Sequence, residues 1–399
     1  MMKQSYAILR VRTPHRSPGF RGRLDLSVPK VGSVTLEVDD LGPSQVSKLK
    51  ANAEVQALAP AMPMTLIEPS RRGDGHRSPS PPPPVADAWG IRAVLADNSV
   101  ATGRGIIVAV LDTGIDRDHP AFHGIELVPR NFTREGNEFD VGDRDGHGTH
   151  CAGTIFGRDV GGVRIGIARG VTKAIIGKVF GEGGGTSVQI AQAVQWAVDQ
   201  GAHVVSMSLG IDFPGYVEYL TRVKNVPIAL ATSIALTGYR ENLRLFDRLA
   251  LLLNTMGNPT LLVAAAGNES RRAVQPSFEI DVSPPAAAEG FIAVAALGQD
   301  PRGLTVAPFS NRGAEVSAPG VDILSARMGG GTTLMSGTSM AAPHVAGIAA
   351  HWAEWLVDKN LFKISQFRAR VIASSTQVGL APNQDPIDVG GGVVCAPTG

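Results

Sequence analysis

Cysteine is almost missing from this chain: 399 residues hold two, Cys151 and Cys395, far apart and without the spacing of metal ligands. A disulfide-stapled scaffold and a cysteine-built metal site are therefore both excluded, and no bridge is expected between the two. Excess charge is missing as well, since 37 Lys and Arg stand against 36 Asp and Glu. Such a balance provides no field to hold a polyanion, so neither nucleic acid nor an anionic membrane is expected as a partner. Long apolar runs are also lacking; windows such as 261–266 and 345–350 fall well short of the roughly 20 residues that cross a bilayer. In the first twelve residues arginines interrupt the apolar run before a secretory signal core can form. These absences lead to the expectation of a soluble protein in a reducing cytoplasm, with non-Sec release left open.

What is present is a hydrophobic content of 43%, enough for one large α/β domain and a small extra one. Residues 1–69 have their own texture: β-formers cluster at 6–11 and 33–38, a short helix is predicted over 43–51, and further strands over 55–58 and 64–67. Residues 70–84 lack apolar periodicity and end in a proline run, which predicts a solvated linker; its Arg71-Arg72 pair is either a processing site or plain solvation. From 85 to 399 strands and helices alternate, the sign of a mainly parallel sheet with helices on both faces. Strands are expected at 106–111, 174–180, 203–207, 260–266 and 291–297, and a helix at 189–199. A helical insertion is expected around 213–258, where Leu243, Phe246, Leu249 and Leu253 fall at helical spacing. It reads either as ordinary core packing or as a flap over a cleft.

Three segments carry an acid, a base and a nucleophile in fixed order: Val110-Leu111-Asp112-Thr113-Gly114, Asp145-Gly146-His147-Gly148-Thr149-His150, and Gly337-Thr338-Ser339-Met340-Ala341-Ala342-Pro343-His344. A serine hydroxyl is a poor nucleophile unless an imidazole takes its proton and a carboxylate holds that imidazole in the right tautomer. In this order, and with Ala266-Gly267-Asn268 between the second and third, the motifs resemble the subtilisin-like serine proteases over roughly residues 89–355. The resemblance implies Asp112, His147 and Ser339 as the triad and Asn268 as oxyanion donor. Small neighbours suit Ser339: Gly337 is expected to allow a tight turn, and Pro343 to sit in the first turn of the following helix. His150, His119 and His344 read as structural, Cys151 as a small hydrophobe behind the base, and Asp116 and Asp118 as turn acids.

Further expectations follow from the family. Ser208-Leu209-Gly210 is similar to the segment that pairs with extended substrate, and Glu269 and Asp145 lie where acidic residues would favour basic side chains. Residues 1–69 are similar to propeptides that assist folding and then block the cleft, which makes the N-terminal unit an intramolecular inhibitor and peptide or protein the substrate. A permanently attached accessory domain is the alternative. No cofactor is required. For calcium, Ala121 follows His119-Pro120 where relatives place an acid, and residues 157–162 offer few oxygens, so the usual ligand pattern is not matched; Asp140, Asp143 and Asp145 are the one remaining place for a weaker site. The resemblance implies a self-processing endopeptidase, with a catalytically silent peptide-binding fold as the rival reading. An esterase of the Gly-x-Ser-x-Gly kind is disfavoured because both acid and histidine precede the serine.

Overall fold

Residues 4–12 and 33–41 are rich in Val, Ile, Thr and Tyr, side chains that suit a pleated surface. In the computed structural model, which describes residues 3–12, 33–67, 88–255 and 259–398, they pair antiparallel as β1 (Gln4–Arg12) and β2 (Ser33–Leu41). After α1 (Pro43–Lys50), β3 (Val55–Pro60) returns on the other edge of β1. Pro43 suits the first turn of α1, where its missing N–H would be unpaired anyway. This is the small α+β unit expected from the sequence. The last strand assigned to it, β4 (Pro63–Leu66), does not join its sheet and pairs instead with the large domain. The expected linker at 70–84, with Arg71-Arg72, lies outside the described residues.

Strands and helices then alternate through α2 (Trp89–Ala93), β5 (Ile107–Asp112), β6 (Glu126–Asn131), α3 (His147–Phe156), β7 (Lys173–Lys178), β8 (Gly185–Thr186) and α4 (Ser187–Asp199). Next come β9 (Val204–Met207), β10 (Leu209–Ile211), α5 (Phe213–Glu218), α6 (Ile228–Thr255), β11 (Leu261–Ala265) and β12 (Phe291–Asp300). The remainder supplies β13 (Gly303–Val306), β14 (Val316–Pro319), β15 (Ile323–Ala326), β16 (Thr332–Met335), α7 (Thr338–Asp358), α8 (Ile364–Ala373) and α9 (Pro386–Val389). The main sheet runs β13-β12-β11-β9-β5-β7-β6 with β14 beside β12, and every pairing in it is parallel except β12 with β13. None of the helices among the described residues is long and apolar enough to cross a membrane.

Two-residue periodicity divides β5 between two cores. Val108 and Val110 join the cluster that holds Ile155 of α3 and Ile348 of α7, while Ala109 and Leu111 join the one that holds Ala193 of α4 and Phe246 of α6. A strand buried on both faces has no polar alternation, which is why this one reads as a continuous apolar run. The insertion helix α6 starts at Ile228, well before Leu243 opens the apolar spacing, because Ile228 and Leu230 are exposed and contribute nothing to a one-sided pattern. Leu245, Phe246, Leu249 and Leu253 are buried in the core, the ordinary packing weighed for it, and another stretch of it receives β3 of the N-terminal unit.

Candidate active site

Asp112 ends β5 and His147 begins α3, so a strand terminus and a helix terminus meet at the carboxyl edge of the sheet, where parallel sheets place their ligands. His147 Nδ1 lies 2.8 Å from Asp112 Oδ1, and both side chains are buried. Thr113 N–H donates to the same oxygen at 2.7 Å, which fixes it as an acceptor and makes His147 Nδ1 the donor. Two glycines permit the approach. Gly146 has φ of 97°, and a side chain at Gly148 would lie 2.2 Å from the Gly114 carbonyl oxygen. Below them Asp143 gathers five donors: Thr113 Oγ1, the Asp145 and Gly146 N–H groups, and both Thr149 Oγ1 and N–H. Burial pushes the Asp143 carboxyl up, but these bonds outweigh it and hold its pKa below the usual value.

Burial also works against the His147 cation. The Asp112 carboxylate more than offsets that, and holds the imidazole pKa well above 6.5. Cys151 Sγ sits 3.8 Å from His147 Nδ1 and donates to the Ser339 carbonyl at 3.3 Å; burial raises its own pKa, so it faces the imidazole as a neutral thiol. Neither cysteine is in a disulfide.

Ser339 is the second residue of α7 and is fully buried. Its Oγ donates to the carbonyl oxygen of Ile67 at 2.7 Å, while His147 Nε2 has no hydrogen-bond partner. Two sequence expectations about this motif need correction. Gly337 is extended, with φ of 167°, a conformation any residue adopts, so no tight turn explains it. Pro343 lies in the second turn rather than the first, because α7 already starts at Thr338. Lacking an N–H, Pro343 cannot bond the carbonyl four residues back, which is that of Ser339. That oxygen accepts instead from Ser208 Oγ and Cys151 Sγ, both at 3.3 Å.

Ile67 is the last described residue of the N-terminal unit, and it arrives as a bound peptide would. β4 lies between β10 and β8, antiparallel to both, with Leu66 opposite Leu209, Thr65 opposite Gly210 and Met64 opposite both Ile211 and Gly185. Ile67 N–H then donates to the Ser208 carbonyl at 3.2 Å. Ser208, Leu209 and Gly210 thus form one wall of the slot that holds β4. The other wall, Gly185 and Thr186, was missed; two residues ahead of a helix carry no strand periodicity. Glu269 and Asp145 are both exposed; Glu269 accepts from Asn311 Nδ2 at 2.6 Å, and Asp145 accepts from His147 N–H at 3.1 Å. Ile67, whose carbonyl meets Ser339 Oγ, is itself buried and apolar.

Asn268 is half-buried beside the start of α7. Its Oδ1 accepts from both Thr338 N–H and Thr338 Oγ1 at 2.9 Å. A backbone N–H can only donate, so the carboxamide orientation is settled and its NH2 end turns away from Thr338. His150, His344 and His119 are held by backbone partners. His150 bonds the Ile323 carbonyl and His344 the Met340 carbonyl, and burial lowers their pKa values to about 3 and about 4, while His119 bridges Gly331 and Ala121. Among the described residues the one cluster of metal-ligating type is Asp112, His147 and Cys151, the hydrogen-bonded Asp–His pair with its neighbouring thiol. The acidic loop weighed for calcium is occupied by donors: Asp143 has five, Asp145 has His147 N–H and Asp140 has Gly142 N–H. A carboxylate engaged by five hydrogens is a poor start for a site needing six or more oxygens.

Residues 103–387 match the sequence model of the subtilase family. The chain belongs to that family. As a subtilase it is 32% identical over 299 residues to the thermostable alkaline protease of Halalkalibacterium halodurans, covering 73% of this chain and 68% of that one. It is 35% identical over 246 residues to the thermophilic serine proteinase of a Bacillus species, covering 61% of this chain and 51% of the other. The fold is shared with the crystal structure of fervidolysin from Fervidobacterium pennivorans, a keratinolytic enzyme related to subtilisin, at a TM-score of 0.65 and 23% identity, over 100% of this chain and 61% of that one. This subtilase therefore spans between about half and two thirds of the length of these proteins. Its reaction class is that of the family, serine endopeptidase chemistry.

Proposed function

We propose that this subtilase is a self-processing zymogen in which residues up to Ile67 fill the cleft as a first substrate and then as an inhibitor. One observation carries the reading: Ser339 Oγ touches the Ile67 carbonyl at 2.7 Å while β4 occupies the slot between β10 and β8. In the reaction Ser339 Oγ attacks the Ile67 carbonyl carbon as His147 Nε2 takes its proton. A rotation of the Ser339 side chain from the carbonyl oxygen towards His147 precedes this step. The oxyanion is received by Asn268 Nδ2 and the Ser339 N–H, which the start of α7 leaves without a helical partner. The imidazolium passes its proton to the departing Glu68 amine, and the acyl-enzyme on Ser339 is hydrolysed by water. Asp112 orients His147 and stabilises the imidazolium without accepting the proton.

The seated segment also suggests what later substrates look like. An apolar residue belongs before the cut, as Ile67 is there, and basic selectivity through Glu269 or Asp145 is not favoured, since both are engaged in holding loops. Removing the oxyanion donor by Asn268→Ala is expected to lower kcat about a hundredfold to a thousandfold with little change in KM. Steady-state kinetics on a peptide with an apolar residue before the cut measures it; an unchanged kcat would remove Asn268 from the mechanism.

The reading is tested by sequencing the new N-terminus of the processed protein. Cleavage of the Ile67–Glu68 bond leaves a chain beginning at Glu68. A start after Arg72 instead would mean that the linker, and not the seated strand, is the processing site.

A further inference from the structure

We propose that the substrate cleft extends well beyond the strand slot, to a subsite for the sixth residue before the scissile bond built from Ser187 and Gly238, with Asn242 holding the eighth. The inference rests on Ile67 being the residue whose carbonyl is attacked; counting back, Met62 is sixth and Pro60 eighth. Met62 is held at both backbone groups by one residue. Its N–H donates to Ser187 Oγ at 3.0 Å, and its carbonyl accepts from Ser187 N–H at 2.9 Å. Ser187 is the first residue of α4 and has no exposed surface. Its N–H is one of the helix-terminal donors that need an outside acceptor.

The Met62 side chain is 1% exposed and rests on α6 where that helix has a notch, since a Cβ at Gly238 would lie 2.9 Å from Met62 Sδ. One turn further along α6, the fully buried Asn242 donates through Nδ2 to the Pro60 carbonyl at 2.9 Å and to the Gly238 carbonyl at 2.9 Å. Its Oδ1 has no partner. These three residues belong to the protease domain, while the groups they hold belong to the segment that processing releases. Once that segment leaves, two backbone-reading groups and an apolar notch remain in line with the strand slot.

The chemistry of the subsite defines its ligand. Contacts to backbone N–H and C=O read no side chain, so any residue except proline satisfies them at the sixth position. The notch selects a flexible apolar side chain there, and Asn242 requires a chain that continues to the eighth. The preferred substrate is therefore an extended polypeptide with at least eight residues before the cut, not a short peptide.

The test uses the processed enzyme and capped peptides carrying the same chromogenic leaving group after isoleucine. One copies residues 63–67, one copies residues 60–67, and a third copies 60–67 with Asp in place of the sixth-position Met. The longer peptide is expected to gain about tenfold in kcat/KM over the shorter, the size of effect one well-filled apolar subsite gives. The Asp peptide should lose that gain. The Gly238→Leu enzyme should lose it too while cleaving the short peptide normally; because this variant could fail to fold, the comparison of peptides on the unaltered enzyme decides. Equal kcat/KM for the short and long peptides overturns the extended subsite while leaving the Ile67 assignment standing. Cleavage of none of them overturns the Ile67 assignment itself, and the subsite with it.

Discussion

Ser339→Ala is expected to keep the chain at its full 399 residues under conditions in which the wild type loses its N-terminal unit. The substitution removes one buried oxygen that donates to Ile67 and leaves the strand slot untouched, so the N-terminal unit should still dock. What disappears is the nucleophile. In enzymes with this triad the loss in kcat is about a millionfold, which places processing beyond any practical time course. Intact-mass measurements on both proteins, made in parallel, read the outcome. Processing of the variant at the wild-type rate would show that a different residue, or a different protease, cuts the chain.

Asp112→Asn has the second-largest expected effect and a pH signature of its own. Asn is nearly isosteric, and Thr113 N–H fixes the oxygen that also faces His147 Nδ1, so the geometry should survive. The negative charge does not survive. The imidazolium formed during attack then lacks its stabilising partner, and kcat should fall by about ten-thousandfold. His147 acts as a base only when neutral. Burial lowers its pKa, and the Asp112 charge raises it well above 6.5, so in the wild type with the N-terminal unit seated the rate of processing should rise with pH through that raised value. Without the charge, the largest influence raising the pKa is gone, burial opposes the cation with less to offset it, and the rising limb should move to lower pH. Processing rates measured across pH for both proteins test this. A kcat within tenfold of wild type, or a limb that does not move, would contradict the assigned role.

The Asp112 and His147 motifs were legible because small residues that the geometry demands stand beside them. Gly146 with its positive φ and Gly148 against the Gly114 carbonyl are backbone requirements written as residue types. Ser208, Leu209 and Gly210 were legible through the family alone, since three residues carry no periodicity. Other features depend on tertiary partners. β4 was assigned to the N-terminal unit because a four-residue strand does not name its neighbour, and its neighbours come from residues 185–186 and 209–211. Glu269 and Asp145 were placed by analogy, and their bonds to Asn311 and to the start of α3 could not be read from sequence. Ser187, Gly238 and Asn242 were invisible: a serine in a capping turn, a helical glycine and a helical asparagine mean nothing until Met62 and Pro60 lie across them.

The kinetics of processing test the central claim most directly. If Ile67 sits on the Ser339 of its own chain, loss of the intact protein is unimolecular. Purified zymogen followed by intact mass at two concentrations a hundredfold apart should then show one first-order rate constant, the same in both. A rate constant that rises in proportion to concentration would show that one molecule cuts another, and that the Ile67 carbonyl is not poised for attack where it rests.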